Sequence, residues 1–180
     1  PVNYPNLGGC WGADPAGCAK LLKAAFQAIK AADPEAIVLF GGIALEKYEG
    51  SPFNVGFVKQ VLEAGGGPYF DWVGFHYYAA FDYRWNRYGR GVQGKAAYLR
   101  GILKDAGIEK PIVCTEIGQP SAGPPKEGYS DAKTQRVLIQ EYAQALSADL
   151  KLAIWYCWQD ADSDERAYGL LDAKAQPKPA

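Results

Sequence analysis

The chain has 180 residues, of which 48% are hydrophobic and 22% charged, and its formal net charge at pH 7 is -1. This length and composition predict that residues 1–180 form a single packed domain, and they exclude a disordered chain. The small net charge provides no long-range field that would favour nucleic acid or an acidic membrane surface. No apolar segment is long enough for a membrane span. We therefore expect no nucleic-acid partner and no membrane partner.

The cysteines fit no spacing typical of zinc or redox sites. Cys114 and Cys157 lie in predicted strands, where a free cysteine packs as a small apolar side chain. Cys10 and Cys18 could form a disulfide in a secreted protein or remain free thiols. The chain contains no methionine, even at its first position. We therefore expect it to begin after processing or to belong to a longer protein.

Four short apolar runs are typical of strands that are buried on both faces. They cover residues 36–40, 72–77, 112–116 and 152–158. A helical pattern precedes each run. In the first helix, Asp14 and Pro15 are typical N-cap and first-turn residues, and Asp33 with Pro34 ends the helix. The apolar residues that predict all four helices are Leu22, Phe26 and Ile29; Phe57, Val61 and Leu62; Tyr98, Leu99, Ile102 and Leu103; and Leu138, Tyr142, Ala145 and Leu146.

This alternation of helices and strands predicts right-handed βαβ units and a parallel sheet. The strand starts are separated by 36, 40 and 40 residues, a spacing typical of a (β/α)8 TIM barrel. Such a barrel has eight strands and about 250 residues, so this chain supplies four of the eight strands. A doubly wound sheet is the alternative, but residues 41–44 lack the G-x-G-x-x-G phosphate-binding pattern. The predicted fold class is therefore α/β, of the (β/α)8 TIM-barrel type.

Polar and aromatic residues follow the predicted strands, at His76 to Tyr78, at Glu116 and at residues 155–160. The carboxyl ends of parallel barrel strands meet on one face, where barrel enzymes place their active sites. Glu116, at the end of an apolar run, is therefore a candidate catalytic carboxylate. Alternatively, it is a strand-end glutamate that faces solvent.

Several short motifs occur in an order and spacing that resemble one enzyme group. Residues 3–7 read Asn-Tyr-Pro-Asn-Leu, which aligns with the Asn-Glu-Pro-Asn-Leu that ends strand four in clan A glycoside hydrolases. Residues 115–118 resemble the strand-seven motif, which carries a glutamate. Further similar segments cover residues 31–34, 75–78, 154–156, 169–172 and 178–180. The chain thus resembles the C-terminal half, strands five to eight, of a retaining glycosidase of the kind found in families 5 and 39.

The resemblance implies a retaining mechanism, in which two carboxyl groups about 5–5.5 Å apart flank the glycosidic bond. It implies that Glu116 is the nucleophile, which His76 and Tyr78 orient and hold ionised. It further implies that Asn3 contacts the sugar 2-hydroxyl. Trp155, or alternatively Trp158, would form the apolar floor beneath the sugar. The implied substrate is an oligo- or polysaccharide, no metal or organic cofactor is expected, and an extracellular location is typical of the group.

Two departures from the group weigh against an ordinary hydrolase. Tyr4 occupies the acid/base position, and a phenol has a reference pKa near 10 against about 4.3 for glutamate. The first half of the barrel is also missing, so we expect it from a partner chain, a second copy of this chain or a truncated region of the same gene product. The alternative function is a catalytically inactive carbohydrate-binding or structural protein that kept the sugar groove.

Two other interpretations are less favoured. The aromatic loop at residues 77–88 contains arginines, as single-strand nucleic-acid sites do, but the net charge argues against that function. We expect it to supply further stacking surfaces for sugar. The acidic residues between positions 160 and 165 could bind calcium, but a solvated acidic loop is the preferred interpretation.

Overall fold

The computed structural model describes residues 4–44, 51–80, 91–123, 128–162 and 165–179. Helices and strands alternate along the chain, as predicted. The elements are α1 (Pro15–Ala32), β1 (Leu39–Ala44), α2 (Phe57–Glu63), a 3-10 helix (Gly67–Tyr69), β2 (Trp72–Tyr78), α3 (Gly91–Asp105), β3 (Ile112–Gly118), α4 (Asp131–Ser147) and β4 (Ala153–Trp155).

The two long terminal helices begin where their capping residues predict. The Asp14 side chain accepts a hydrogen bond of 2.8 Å from the Gly17 N–H at the start of α1. The Ser130 hydroxyl oxygen accepts one of 3.2 Å from the Lys133 N–H at the start of α4. Each cap satisfies a backbone donor that the helix itself leaves unpaired.

The four strands form one parallel sheet in the order β1-β2-β3-β4. Sequential parallel neighbours joined by helices are the topology of a (β/α) barrel segment, so the predicted parallel sheet is confirmed.

The hydrophobic core lies between one face of this sheet and the helices. The buried strand residues on that face are Phe40, Ile43, Val73, Phe75, Tyr77, Ile112, Cys114, Ile117 and Trp155. Because side chains alternate along a strand, the residues between them point away from the helices. That second face, which we call the inner face, carries Leu39, Gly74 and Thr115; a Cβ atom placed on Gly74 would contact the other two side chains.

Three local predictions were wrong. The first strand begins at Leu39 rather than at residue 36, because it pairs with β2 from Trp72 onward and continues through two glycines. The strand β4 ends at Trp155 instead of residue 158. Leu146, which was assigned to the apolar face of α4, is 80% exposed.

The last two predictions concern a possible disulfide and membrane-spanning segments. Cys10 and Cys18 are both free thiols, with Cys10 exposed and Cys18 buried on α1. Within the described ranges, no helix combines the length and the apolar character needed to cross a membrane.

Candidate active site

The parallel pairing of β2 with β3 places His76 beside Glu116 at the carboxyl end of the sheet. The Nδ1 atom of His76 lies 3.4 Å from Oε2 of Glu116. The Tyr78 hydroxyl donates a hydrogen bond to the same oxygen. The structure therefore brings together three residues that the sequence singled out.

A β-bulge in β3 is the reason Glu116 faces this site. Phe75 pairs with Cys114 and His76 with Glu116, so that Thr115 is an extra residue between two consecutive pairs. In a regular strand, Cys114 and Glu116 would point to the same side of the sheet. The bulge leaves Cys114 in the core and turns Glu116 onto the inner face with His76. A thiol hydrogen bond of 3.2 Å from Cys114 to the Glu116 carbonyl spans the bulge.

The His76 side chain is only 4% exposed. Burial lowers its pKa, the Glu116 charge opposes that effect and the Lys95 charge adds to it, with a lowered pKa as the result. Since the ordinary histidine pKa is about 6.5, the imidazole is neutral at pH 7. The contact with Glu116 is therefore a contact of a neutral ring with a carboxyl group and is not an ion pair.

Tyr78 donates a hydrogen bond to Glu116 and keeps its own proton. Burial, followed by the hydrogen bond to Glu116, raises the pKa of Tyr78 far above its ordinary value. Its phenol therefore stays protonated throughout the physiological pH range. Donation from a neutral hydroxyl orients the carboxyl group without adding a charge to the site.

Tyr4 lies next to these groups. Its ring packs edge-on against the His76 imidazole, with 4.9 Å between ring centroids. Burial and, second, the Glu116 charge raise the pKa of Tyr4 to about 12. The phenol is thus neutral at pH 7 and has a proton to donate, but it is too weakly acidic to become a base there.

The segment that carries Tyr4 is anchored to β1 by Asn6. The Asn6 side chain is fully buried and pairs with the backbone of Ala44, accepting from its N–H at 3.1 Å and donating to its carbonyl. It also donates to the Asn54 carbonyl at 3.3 Å. Tyr4 itself has a φ of 54°, a left-handed conformation that non-glycine residues seldom adopt.

The structure describes two of the three other residues that were predicted to contact sugar. Asn3 is outside the described residues. Trp155 is buried in the hydrophobic core, and its indole N–H donates a hydrogen bond of 3.1 Å to the Tyr168 carbonyl. Trp158 is 70% exposed. The aromatic loop is described only up to Ala80, so its predicted role for residues 81–88 falls outside the described ranges.

Tyr156 and Tyr168 also lie at the candidate site, although the sequence analysis assigned neither of them a role there. The Tyr78 ring lies 6.1 Å from the Tyr156 ring and 5.6 Å from the Tyr168 ring, and those two lie 5.7 Å apart, all edge-to-face. Tyr156 is 44% exposed. Its signal in the sequence was its position next to Trp155, because alternation places one of two adjacent aromatics on the inner face. For Tyr168, the sequence contains no such signal.

A half-buried ion pair holds the residues on either side of Tyr168. Lys178 Nζ lies 2.6 Å from Asp160 Oδ2 and also donates to the Ala167 carbonyl at 3.0 Å. Asp160 Oδ1 accepts a 2.6 Å hydrogen bond from the Gly169 N–H. Asp160 thus has structural partners. Within the described part of the chain, no group of three or more His, Cys, Asp and Glu residues could hold a metal ion.

The chain is similar to solved structures of glycoside hydrolases. A family 39 enzyme from the gut symbiont Bacteroides cellulosilyticus WH2 matches with a TM-score of 0.71 and 25% identity, covering 98% of this chain and 37% of that chain. This chain has the fold of the clan A glycoside hydrolases. The resemblance and the TIM-barrel fold class that the sequence predicted are confirmed.

Two further clan A structures have the same fold at lower identity. A family 128 exo-β-1,3-glucanase from Aureobasidium namibiae matches with a TM-score of 0.60 and 14% identity, over 98% of this chain and 62% of that one. A family 17 β-1,3-glucanosyltransferase from Rhizomucor miehei matches with a TM-score of 0.59 and 16% identity, over 92% and 56%. The chain therefore spans 37–62% of the length of these glycoside hydrolases. No family model matches the sequence, and no curated protein matches it significantly.

Proposed function

We propose that this chain carries the nucleophile of a retaining β-glycosidase site and that Glu116 is that nucleophile. The observation that carries the proposal is the bulge in β3, which turns the Glu116 carboxyl group toward Tyr78 and His76. Without the bulge, the carboxyl group would point into the core. A bulge that re-aims one side chain is typical of residues next to active sites.

In the proposed reaction, a Glu116 oxygen attacks the anomeric carbon of the sugar. The bond between that carbon and the leaving-group oxygen breaks, and its electron pair departs with the leaving group. The product is a glycosyl ester of Glu116, which water or another acceptor then cleaves. Tyr78 and His76 fix the orientation of the carboxyl group, which is a requirement for attack at a defined angle.

Tyr4 at the acid/base position limits both halves of this reaction. A phenol whose pKa is raised to about 12 protonates a poor leaving group slowly and does not activate water at pH 7. We expect cleavage of glycosides whose leaving group departs without protonation. We also expect the glycosyl ester of Glu116 to accumulate, because its hydrolysis requires a base.

The proposed substrate is an oligo- or polysaccharide. The exposed ring of Tyr156, beside Tyr78 and Tyr168, offers an apolar surface to a sugar at the position next to Glu116. Asn3, Trp155 and Trp158 remain predicted contacts, and the extracellular location remains an expectation.

We further propose that residues 1–180 supply the second half of a barrel, which four more strands complete. The inner face of the sheet carries Leu39, 40% exposed, and Ile154, 45% exposed. In closed barrels this face is filled by side chains in layers. The remaining strands would come from a partner chain, from a second copy or from the rest of the same gene product.

The alternative function is a catalytically inactive carbohydrate-binding or structural protein. Tyr4 is the observation that favours it, since a neutral, buried phenol in place of a carboxylate removes the usual acid and base. Sugar binding alone does not separate the two functions, because both require it. Cleavage of an activated substrate separates them, because only the glycosidase would perform it.

The test is the release of dinitrophenol from a panel of 2,4-dinitrophenyl β-glycosides, followed by stopped-flow absorbance. We expect a burst of leaving group stoichiometric with protein, followed by slow turnover. Glu116→Gln, which is close in shape and lacks the nucleophile, is the matched control and should show neither phase. The absence of a burst from folded protein that still binds the sugar would support the inactive alternative.

A further inference from the structure

Lys95 on α3 is a buried cation for which the proposed reaction has no use. Lys95 is 1% exposed. Its ammonium lies 3.3 Å from the His76 carbonyl oxygen and 5.3 Å from the centroid of the Tyr77 ring. An ammonium group is costly to remove from water unless fixed partners compensate it. Two of its contacts here are with the strand β2, directly behind His76.

A second buried charge approaches from the neighbouring helix. Glu141 on α4 is 5% exposed. The charges of Lys95 and Glu141 both act on the Cys114 thiol, in opposite directions, and that thiol donates to the Glu116 carbonyl. Two helices thus place opposite charges behind the bulge that aims Glu116.

We propose that Lys95 is a positioning residue of the site: from the helix side of the sheet, its ammonium fixes the carboxyl end of β2 and keeps the His76 imidazole uncharged beside Glu116. The consequence for glycoside cleavage depends on the function proposed above. The effect on His76 does not.

The groups that face His76 determine the sign of the effect. Glu116 on β3 favours the charged imidazole, and Lys95 on α3 opposes it. Tyr4 packs against the ring as a neutral phenol. Removal of the Lys95 charge leaves only burial to oppose the attraction of Glu116, so His76 should take up a proton at higher pH than in the wild type. A protonated imidazole would pair with Glu116 and weaken it as a nucleophile.

The chain offers a direct measurement, because His76 is its only histidine. Its imidazole titration, followed by NMR in the full chain, is therefore unambiguous. Lys95→Gln removes the charge but keeps a donor for the His76 carbonyl, and Lys95→Arg keeps the charge. Lys104→Met on the exposed side of the same helix is the control.

We expect the His76 midpoint to rise by on the order of one pH unit in Lys95→Gln. It should stay within a few tenths of a unit of wild type in Lys95→Arg and in the control. An unchanged midpoint in folded Lys95→Gln would overturn the proposal. If Lys95→Gln does not fold, Lys95→Met takes its place, and an unchanged midpoint in that variant overturns the proposal.

The catalytic consequence has its own measurement, the rate at which a 2-fluoro glycoside labels Glu116 as a function of pH. In Lys95→Gln, the acidic limb of that profile should move to higher pH together with the His76 midpoint. In Lys95→Arg, it should lie at the wild-type pH. A wild-type chain that is never labelled contradicts the proposed function, while the NMR titration still decides the role of Lys95.

Discussion

Tyr4 and Glu116 differ in a way that separates the two halves of the proposed reaction. In the proposal, attack by Glu116 on a sugar with a good leaving group needs a correctly oriented carboxyl group, and the hydrogen bond from Tyr78 and the contact with His76 would orient it. Release of the sugar requires a base, and the Tyr4 phenol, with a pKa raised to about 12, does not supply one at pH 7. At the scale of single residues, the proposal therefore predicts that the site carries out the first half of a retaining reaction and stalls in the second.

This asymmetry predicts a gain of function in Tyr4→Glu. A carboxyl group at this position would supply both the acid and the base, contributions typically on the order of 10²–10⁴-fold. We expect faster hydrolysis of a β-linked disaccharide, measured by release of the free sugar. The control is Tyr4→Gln, because glutamine is similar in size to glutamate but cannot transfer a proton. Equal rates in Tyr4→Glu and Tyr4→Gln would show that this position is not the acid/base position.

The sequence predicted some of these residues better than others, for a physical reason. His76, Tyr78 and Glu116 each lie at the end of an apolar run, and parallel strands bring such ends together. Tyr168 follows no strand, and it is held at the site by contacts that Trp155, Asp160 and Lys178 make with its segment. Contacts between segments that are distant in the sequence produce no local sequence pattern from which they could be predicted.

At the scale of elements, glycines allow β1 and β2 to pair closely at the inner face. A Cβ atom on Gly41 would lie 2.7 Å from both the Cα and the N atom of Gly74, which no real Cβ contact permits. Gly42 has a φ of 79°, and the pairing shifts register between Phe40 and Ile43. The sequence suggested that the first strand ends before these glycines, whereas they form an irregular part of the strand itself.

The close approach predicts that Gly41→Ala destabilises the fold by about 1–3 kcal/mol, since backbone atoms cannot move aside as side chains do. The matched control is Gly101→Ala in α3, where a Cβ atom would meet nothing within 4 Å. That change should stabilise the fold by about 0.5–1 kcal/mol, because alanine favours helix over glycine. Urea unfolding followed by circular dichroism measures both. Equal effects of the two substitutions would contradict the close packing of the strands.

Helices were the elements that the sequence predicted best, because their signals are local. The caps Asp14 and Ser130 fixed the starts of α1 and α4 through hydrogen bonds three residues away. The bulge before Glu116 had no such signal: it exists only relative to the pairing of β3 with β2 and β4. Its position decides which side of the sheet the carboxyl group faces.

At the scale of the whole molecule, the described residues give the sheet one face that is covered by helices and one open face. The helices cover the core side of the sheet, whereas the inner face exposes Leu39 and Ile154. The chain spans 37–62% of the compared glycoside hydrolases, and in the barrel that we propose, four further strands cover this face. Glu116 and its partners lie within the described part, so formation of the glycosyl ester is testable with this chain.

The measurement that tests the central claim most directly is intact-mass spectrometry after incubation with 2-fluoro glycosides that carry good leaving groups. The slow-reacting 2-fluoro sugar should trap the glycosyl ester, giving a mass gain of one sugar that peptide mapping places on Glu116. Glu116→Gln should gain no mass. A folded protein that gains no mass from any donor, or an adduct that maps to another residue, would contradict the assignment of Glu116 as the nucleophile.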